Sequence, residues 1–232
     1  IFFAAIFLIP LLYAVYTSLV PFEYVNKAEG FAHLSLNNYF TLFKNYPIMS
    51  WFKNTLIVTI CTLIGTIITA LPAGYALAKL KFRGRNAVFT AIMATLMVPF
   101  QLVLTPLYIM IAGIGWHNTL QGLIVPFLVS SLSIFMARQF YVSIPDELIE
   151  AARVDGLGHI GAFFHIVLPL STPLMITLAI FNFTSTWNSY MIPATFISQT
   201  EKFTLSVGLK TIKAANFIRP NETMAGVILL SI

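Results

Sequence analysis

Charged residues are scarce in this sequence. Asp, Glu, Lys and Arg make up 9% of its 232 residues, 58% are hydrophobic, and the mean hydropathy is +0.86; soluble domains carry about one quarter charged residues. Three stretches, 54–78, 86–137 and 156–200, contain none of the four charged types. Such gaps exclude a water-solvated fold and read as membrane spans. A charge at mid-bilayer costs roughly 2.5–3.5 kcal/mol on insertion scales, and a span needs roughly 20 predominantly apolar residues. A single cysteine, Cys61, excludes an internal disulfide, and inside an apolar run its expected role is that of a small buried hydrophobe. The four histidines, His33, His117, His159 and His165, lack metal-ligand spacing, and HExxH is absent, so no metal site is expected. No phosphate loop of the form G-x4-GK[ST] occurs, and no His lies deep in an apolar run, which argues against nucleotide binding on this chain and against an intramembrane hydrolase. Alternation of apolar and polar residues over about 10 positions is missing, which rules out a membrane barrel. There is no 20–50-residue repeat and no low-complexity tract. The net charge of +5 does not indicate nucleic acid, because the basic residues sit in loops and do not line one helix among aromatics.

What is present is a series of long apolar runs. They give an all-α, polytopic membrane bundle with six expected spans, at about 1–20, 55–78, 87–112, 120–140, 166–190, and a truncated one from 224 onward. Residues 1–232 then form a single transmembrane domain. The first residue is Ile1, with neither an initiator Met nor a charged leader, and 224–232 is too short to cross, so both ends are expected to continue in the natural protein. No small-x-small site follows the first run, so no cleaved signal peptide is expected. Lys79, Lys81, Arg83 and Arg85 crowd the turn between the second and third spans, whereas 113–119 has no Lys or Arg. The positive-inside rule places the basic turn, residues 138–165 and both chain ends in the cytoplasm, with the longer first and fifth loops outside. Pro10, Pro72, Pro99, Pro106, Pro126, Pro169 and Pro173 fall inside spans, where neighbours in a bundle satisfy the freed carbonyls.

The cytoplasmic stretch SIPDELIEAARVDGLGHIGAFFHIVLP is the most informative. Ser143 is suited to cap, Pro145 suits an early helical position, and Asp146 with Glu147 complements the positive helix start. A short helix is expected over 145–155, stopped by Gly156 in the left-handed conformation. On it Glu147 and Glu150 share one side, with Leu148, Ala151 and Ala152 forming a small apolar surface beside them. A shallow apolar face edged by carboxylates fits a groove on another protein. A helix resting on the bilayer surface would instead be rich in Lys, Arg and large apolar residues.

Glu150, Ala151, Ala152, Gly156, Ile166, Leu168 and Pro169 match the signature EAA-x3-G-x9-I-x-LP without a gap. In this the chain resembles the permease subunits of importer-type ABC transporters. It is most similar to the carbohydrate subgroup typified by the maltose importer's smaller permease, through NTLIV, YALAKLKFRGR, the PLY of 106–108, IPDEL, Asp155 with Gly156, and Trp187 with Asn188. The resemblance covers about 54–213. It implies docking on a separate ATPase through Glu147, Glu150, Ala151, Ala152, Arg153, Asp155 and Gly156, with Glu150 as the ionic contact, the two alanines as packing face and Gly156 as the turn. It further implies a second homologous permease, two ATPase subunits that bind ATP and Mg, an extracytoplasmic binding protein that meets the outer loop at 193–220, and a sugar as solute. Glycerol phosphate importers have similar permeases. No cofactor is implied on this chain. A secondary transporter or channel acting alone is disfavoured by the charge-free spans.

Candidate pathway residues are Gln101, Ser131, Asn182, Ser185, Thr186, Trp187, Asn188 and Ser189, of which Asn182, Ser185, Thr186 and Ser189 form a polar stripe at helical spacing. Hydrogen bonding between helices or self-capping is the competing role. Trp51, Trp187 and Tyr190 are expected in the outer aromatic belt, although such rings also stack on sugars.

Overall fold

The computed structural model describes residues 2–25, 27–215 and 219–231. Residues 1 and 232, at the ends of the first and last expected spans, and 216–218 of the expected outer loop lie outside the described residues. The described chain is all-α. Its helices are α1 (Phe2–Leu19), α2 (Asn37–Asn45), α3 (Ile48–Lys79), α4 (Arg85–Leu96), α5 (Phe100–Gly113), α6 (Leu120–Ile124) and α7 (Ser131–Val142). There follow α8 (Asp146–Val154), α9 (His159–Ala162), α10 (Leu168–Leu170), α11 (Thr172–Trp187), α12 (Met191–Phe196), α13 (Leu205–Ala215) and α14 (Pro220–Ser231). The chain forms two compact units, Leu56–Asn188 and Ile1–Thr55 with Ser189–Ile232.

Among the described residues, two segments are long and apolar enough to cross a membrane unbroken, Ile48–Lys79 and Leu120–Val142, and bent pairs raise the number to four. Of the six expected spans, the third and the fifth are not single straight helices. The third, 87–112, is two helices, α4 and α5, bent by 99°. Pro99 is the cause: it stands at the start of α5 with ψ 126°, and the residue before a proline is pushed out of the helical region. The fifth is likewise broken, at Ser171, with a 72° bend between His159–Leu170 and α11. A π-helical turn, Phe163–Val167, precedes that break, and Pro169, between the turn and the break, has no N–H to donate. Pro126 turns Val125–Phe127 into a 3-10 segment within the fourth span, and Thr69 of α3 donates 2.7 Å to the carbonyl of Leu128 just beyond it. The last helix begins at Pro220, ahead of the expected 224.

In the unit Leu56–Asn188, α3 packs closely on α7. A Cβ placed on Gly74 would lie 2.5 Å from Ala137 Cβ and 2.9 Å from the backbone nitrogen of Arg138, so only glycine fits that crossing. Around it Leu71, Tyr75, Ala137, Tyr141, Ile144, Ile149, Ala152, Phe163, Val167 and Leu174 form one buried core. Cys61 does not join it: the side chain is exposed, against the expectation of burial, on a face of α3 turned from the core.

In the other unit the region 193–220, expected to be a long loop, is largely helical as α12, α13 and the start of α14. Its N-terminal donors explain why: the Leu205 N–H, unpaired at the start of α13, donates 2.8 Å to Thr55 Oγ1. Trp51 is fully buried, which corrects its expected place in an exposed belt. Its indole N–H donates 2.7 Å to the Thr200 carbonyl, and its ring occupies the space a side chain on Gly208 would need. At the α1, α2 and α14 contact, Asn38 donates to the carbonyls of Ser18 and Val20 and accepts from Asn221 at 2.9 Å.

Candidate functional site

The stretch singled out by the sequence folds as α8, within one residue of the expected bounds. Pro145 occupies the N-cap position and offers no side-chain cap. Ser143, expected to cap, belongs to the end of α7, where its hydroxyl donates 2.6 Å to the Phe140 carbonyl. Asp146 and Glu147 in the first turn and Arg153 in the last complement the helix dipole. The C-terminus closes as a Schellman motif: Leu157 N–H donates to Ala152 O at 2.9 Å and Gly156 N–H to Arg153 O at 3.1 Å. Gly156 takes φ +87°, the conformation the motif needs, and a Cβ there would touch nothing. Conformation rather than space therefore requires the glycine.

The helix has two unlike faces. Ile149 and Ala152 are buried in the core shared with α3, α7 and the π turn. Glu147, Leu148, Glu150, Ala151, Arg153, Asp155 and Gly156 are exposed. The small-residue face expected from Leu148, Ala151 and Ala152 is therefore corrected: Ala152 lies one position past Ala151, about 100° around the helix, and packs inward. Val154, 88% exposed, and Leu148, 44% exposed, supply apolar surface beside the carboxylates. Glu150 has no partner among the described residues.

A tie the sequence did not reveal holds the start of α8. Lys79, the last residue of α3, donates 2.6 Å to Asp146 Oδ1 and also reaches the Ile144 carbonyl, and only 6% of its side chain is exposed. Sixty-seven positions separate the partners. The Lys79 hydrogen bond and charge hold the Asp146 carboxyl below its ordinary range. A depressed carboxylate supports the fold above its unfolded pKa, and that support is lost as pH falls through the folded value. Backbone hydrogen exchange in α8, corrected for intrinsic rate, is therefore expected to rise in acid below the usual carboxylate range, and Asp146→Asn should show the faster exchange at neutral pH as well. An Asp146→Asn profile that matches the wild type at neutral pH would contradict the tie.

The pathway candidates divide. On α11, Asn182 donates 3.1 Å to Thr66 Oγ1 of α3, Ser185 donates to the Asn182 carbonyl, and Asn188 donates to the Thr184 carbonyl. Those bonds are of the kind that join and cap helices, although the side-chain Oδ1 of Asn182 is buried without a partner among the described residues. Trp187 is 8% exposed and stacks on Phe183 at 5.2 Å, so it too departs from an exposed belt position. Thr186 is half-buried on the same helix. Ser131, at the start of α7, accepts 2.8 Å from Thr95, and Gln101 is exposed on α5. Ser189 offers its carbonyl to Ser206, and Tyr190 is exposed with the Lys210 ammonium 3.8 Å from its ring centroid. Groups of three or more potential metal ligands are absent among the described residues.

Residues 70–232 match the family described as binding-protein-dependent transport system inner membrane component. The chain belongs to this family, the inner-membrane permeases of binding-protein-dependent ABC transporters. It is similar to the arabinooligosaccharides transport system permease protein AraQ of Halalkalibacterium halodurans, 33% identical over 77% of this chain and 64% of the relative. The diacetylchitobiose uptake system permease protein NgcG of Streptomyces coelicolor is 32% identical over 76% and 59%. The sn-glycerol-3-phosphate transport system permease protein UgpE of Pectobacterium atrosepticum is 32% identical over 76% and 63%. The matches thus span about 64% or less of the length of these relatives. The fold is that of a chain in the crystal structure of a bacterial ABC transporter involved in the import of the acidic polysaccharide alginate, with TM-score 0.86 and 23% identity over 99% of this chain and 87% of that one.

Proposed function

We propose that this chain, acting as one transmembrane domain over 1–232, forms half of the translocation path of an importer for a sugar or oligosaccharide. A second permease completes the path, and two ATPase subunits that carry ATP and Mg drive it. An extracytoplasmic binding protein delivers the solute. The chain itself performs no chemistry. Residues 145–156 are the lever on which the ATPase acts, and both chain ends face the cytoplasm. The observation that carries this reading is the division of α8: Ile149 and Ala152 are locked into the chain's own core, while Glu147, Glu150, Ala151 and Arg153 face outward. An acidic, small-residue surface on a fixed base suits an arginine-bearing groove. Gln101, Ser131 and the polar positions of α11, Asn182, Ser185, Thr186 and Asn188, are the residues proposed along the path, with Trp187 and Ser189 at its outer end.

The carbohydrate assignment draws support from the relatives named for arabinooligosaccharides and diacetylchitobiose. A glycerol phosphate is the second reading, favoured by the comparable identity to the permease named for that solute. The test of the lever uses Ala151→Cys in a Cys61→Ser background. A maleimide should label the purified chain and should fail to label it once the ATPase subunit is bound. Equal labelling in both states would refute docking at α8.

A further inference from the structure

The turn between α3 and α4 carries more positive charge than the lever uses. Lys81, Phe82, Arg83, Gly84, Arg85, Asn86 and Ala87 line a cup of about 450 Å³. Lys79 is occupied by Asp146, and Arg85 makes one long bond, 3.4 Å, to the Leu80 carbonyl. Lys81 and Arg83 have neither a hydrogen bond nor an ion pair among the described residues. On α7, the Arg138 guanidinium lies 3.9 Å from the ring centroid of Phe89 of α4, and its Nε is buried without a partner among the described residues. Asp146 is the carboxylate that feels this cluster, through Lys79 first and Lys81 weakly, and it is already paired.

Three cations, Lys81, Arg83 and Arg85, gathered on one turn with no ion pair among the described residues, call for an anion. The position says which kind. α3 is a 32-residue apolar helix, about 48 Å long, so its end reaches past a hydrocarbon core of about 30 Å into the headgroup layer. Phe82 and Val88, 44% and 48% exposed beside the cations, give acyl chains an apolar border. We propose that the cup binds the phosphate of an anionic phospholipid of the cytoplasmic leaflet. The site involves none of the exposed residues of α8, so it stands or falls apart from ATPase docking; it rests only on this turn lying at the membrane face.

The test is lipid retention by the purified chain, read by native mass spectrometry in detergent containing phosphatidylglycerol, phosphatidylcholine or sodium phosphate. Phosphatidylglycerol should be retained preferentially. A basic residue near an anionic surface contributes about 1 kcal/mol, about fivefold, so Lys81→Gln with Arg83→Gln and Arg85→Gln should weaken retention on the order of tenfold to hundredfold. Exchanging the same positions as Lys81→Arg, Arg83→Lys and Arg85→Lys should preserve it, and Lys44→Gln should leave it unchanged. If the triple Gln chain does not fold, salt serves instead: raising NaCl tenfold should abolish the wild-type preference. Undiminished retention in the triple Gln chain, equal retention of phosphatidylcholine, or a preference indifferent to salt would overturn the proposal. Displacement of the lipid by an equal concentration of sodium phosphate would assign a soluble anion and overturn the lipid reading.

Discussion

Gly74→Leu is expected to abolish the folded state that can be recovered from membranes. The crossing of α3 and α7 leaves no room for even one carbon, because the nearest obstacles are Ala137 Cβ at 2.5 Å and the Arg138 nitrogen at 2.9 Å. Two of the three obstructing atoms, the Ala137 carbonyl carbon and the Arg138 nitrogen, are backbone, so rotamer changes bring no relief and the two helices must separate. Overfilling a packed interior costs about 1–3 kcal/mol, and separating this seam also uncovers Leu71, Tyr75 and Tyr141, which share the core. A loss of at least about 3 kcal/mol is a large part of the usual stability of a domain. The measurement is the monodisperse fraction and Tm after detergent extraction. Gly74→Ala should show a smaller loss of the same kind. Gly113→Leu, where an added carbon meets nothing, should stay within about 0.5 kcal/mol of wild type. Wild-type recovery of Gly74→Leu would mean that the close approach is not a feature of the native fold.

Glu150→Lys is expected to leave this fold intact and to reduce solute uptake about a hundredfold in the complete transporter. Glu150 is exposed and has no bonding partner among the described residues, so its replacement removes no core contact. A charge-assisted hydrogen bond to a partner arginine is worth roughly 1.5–3 kcal/mol, and reversal adds repulsion. About 2.7 kcal/mol corresponds to a hundredfold change in an equilibrium. Uptake and stimulation of ATP hydrolysis should fall together while Tm holds. An arginine-to-glutamate exchange in the ATPase groove should restore both. Normal uptake by Glu150→Lys would remove the ionic contact from the mechanism.

The helix α8 is legible in the sequence because its signals are local: acid at a helix start, three residues of spacing and a glycine stop, all inside one dozen positions. Gly156 at φ +87° is the clearest case. The spans were legible in number of apolar runs but not in continuity. Hydropathy averages over Pro99 and Ser171, where backbone donors and sterics, invisible to a window of apolar residues, break the helices. Ala152 was assigned to the wrong face because the core that claims it is assembled from Tyr141, Phe163 and Val167, brought together only by the fold. The pairing of Lys79 with Asp146 and the burial of Trp51 beneath Gly208 are of the same nonlocal type. The helices of 193–220 were missed because short amphipathic stretches between spans give little hydropathy contrast, and their N-terminal donor is met by Thr55, 150 positions away.

The anchoring of α8 has a mechanical outcome. A lever hinged on a flexible loop would absorb a push as local bending, but this one is riveted at its root by Lys79 and along its underside by Ile149 and Ala152. A push on the outer carboxylates, the action proposed for the ATPase, would therefore move the adjoining ends of α3 and α7 together with α8. The regular helix is next interrupted farther along the chain, at the π turn and the 72° elbow near Ser171.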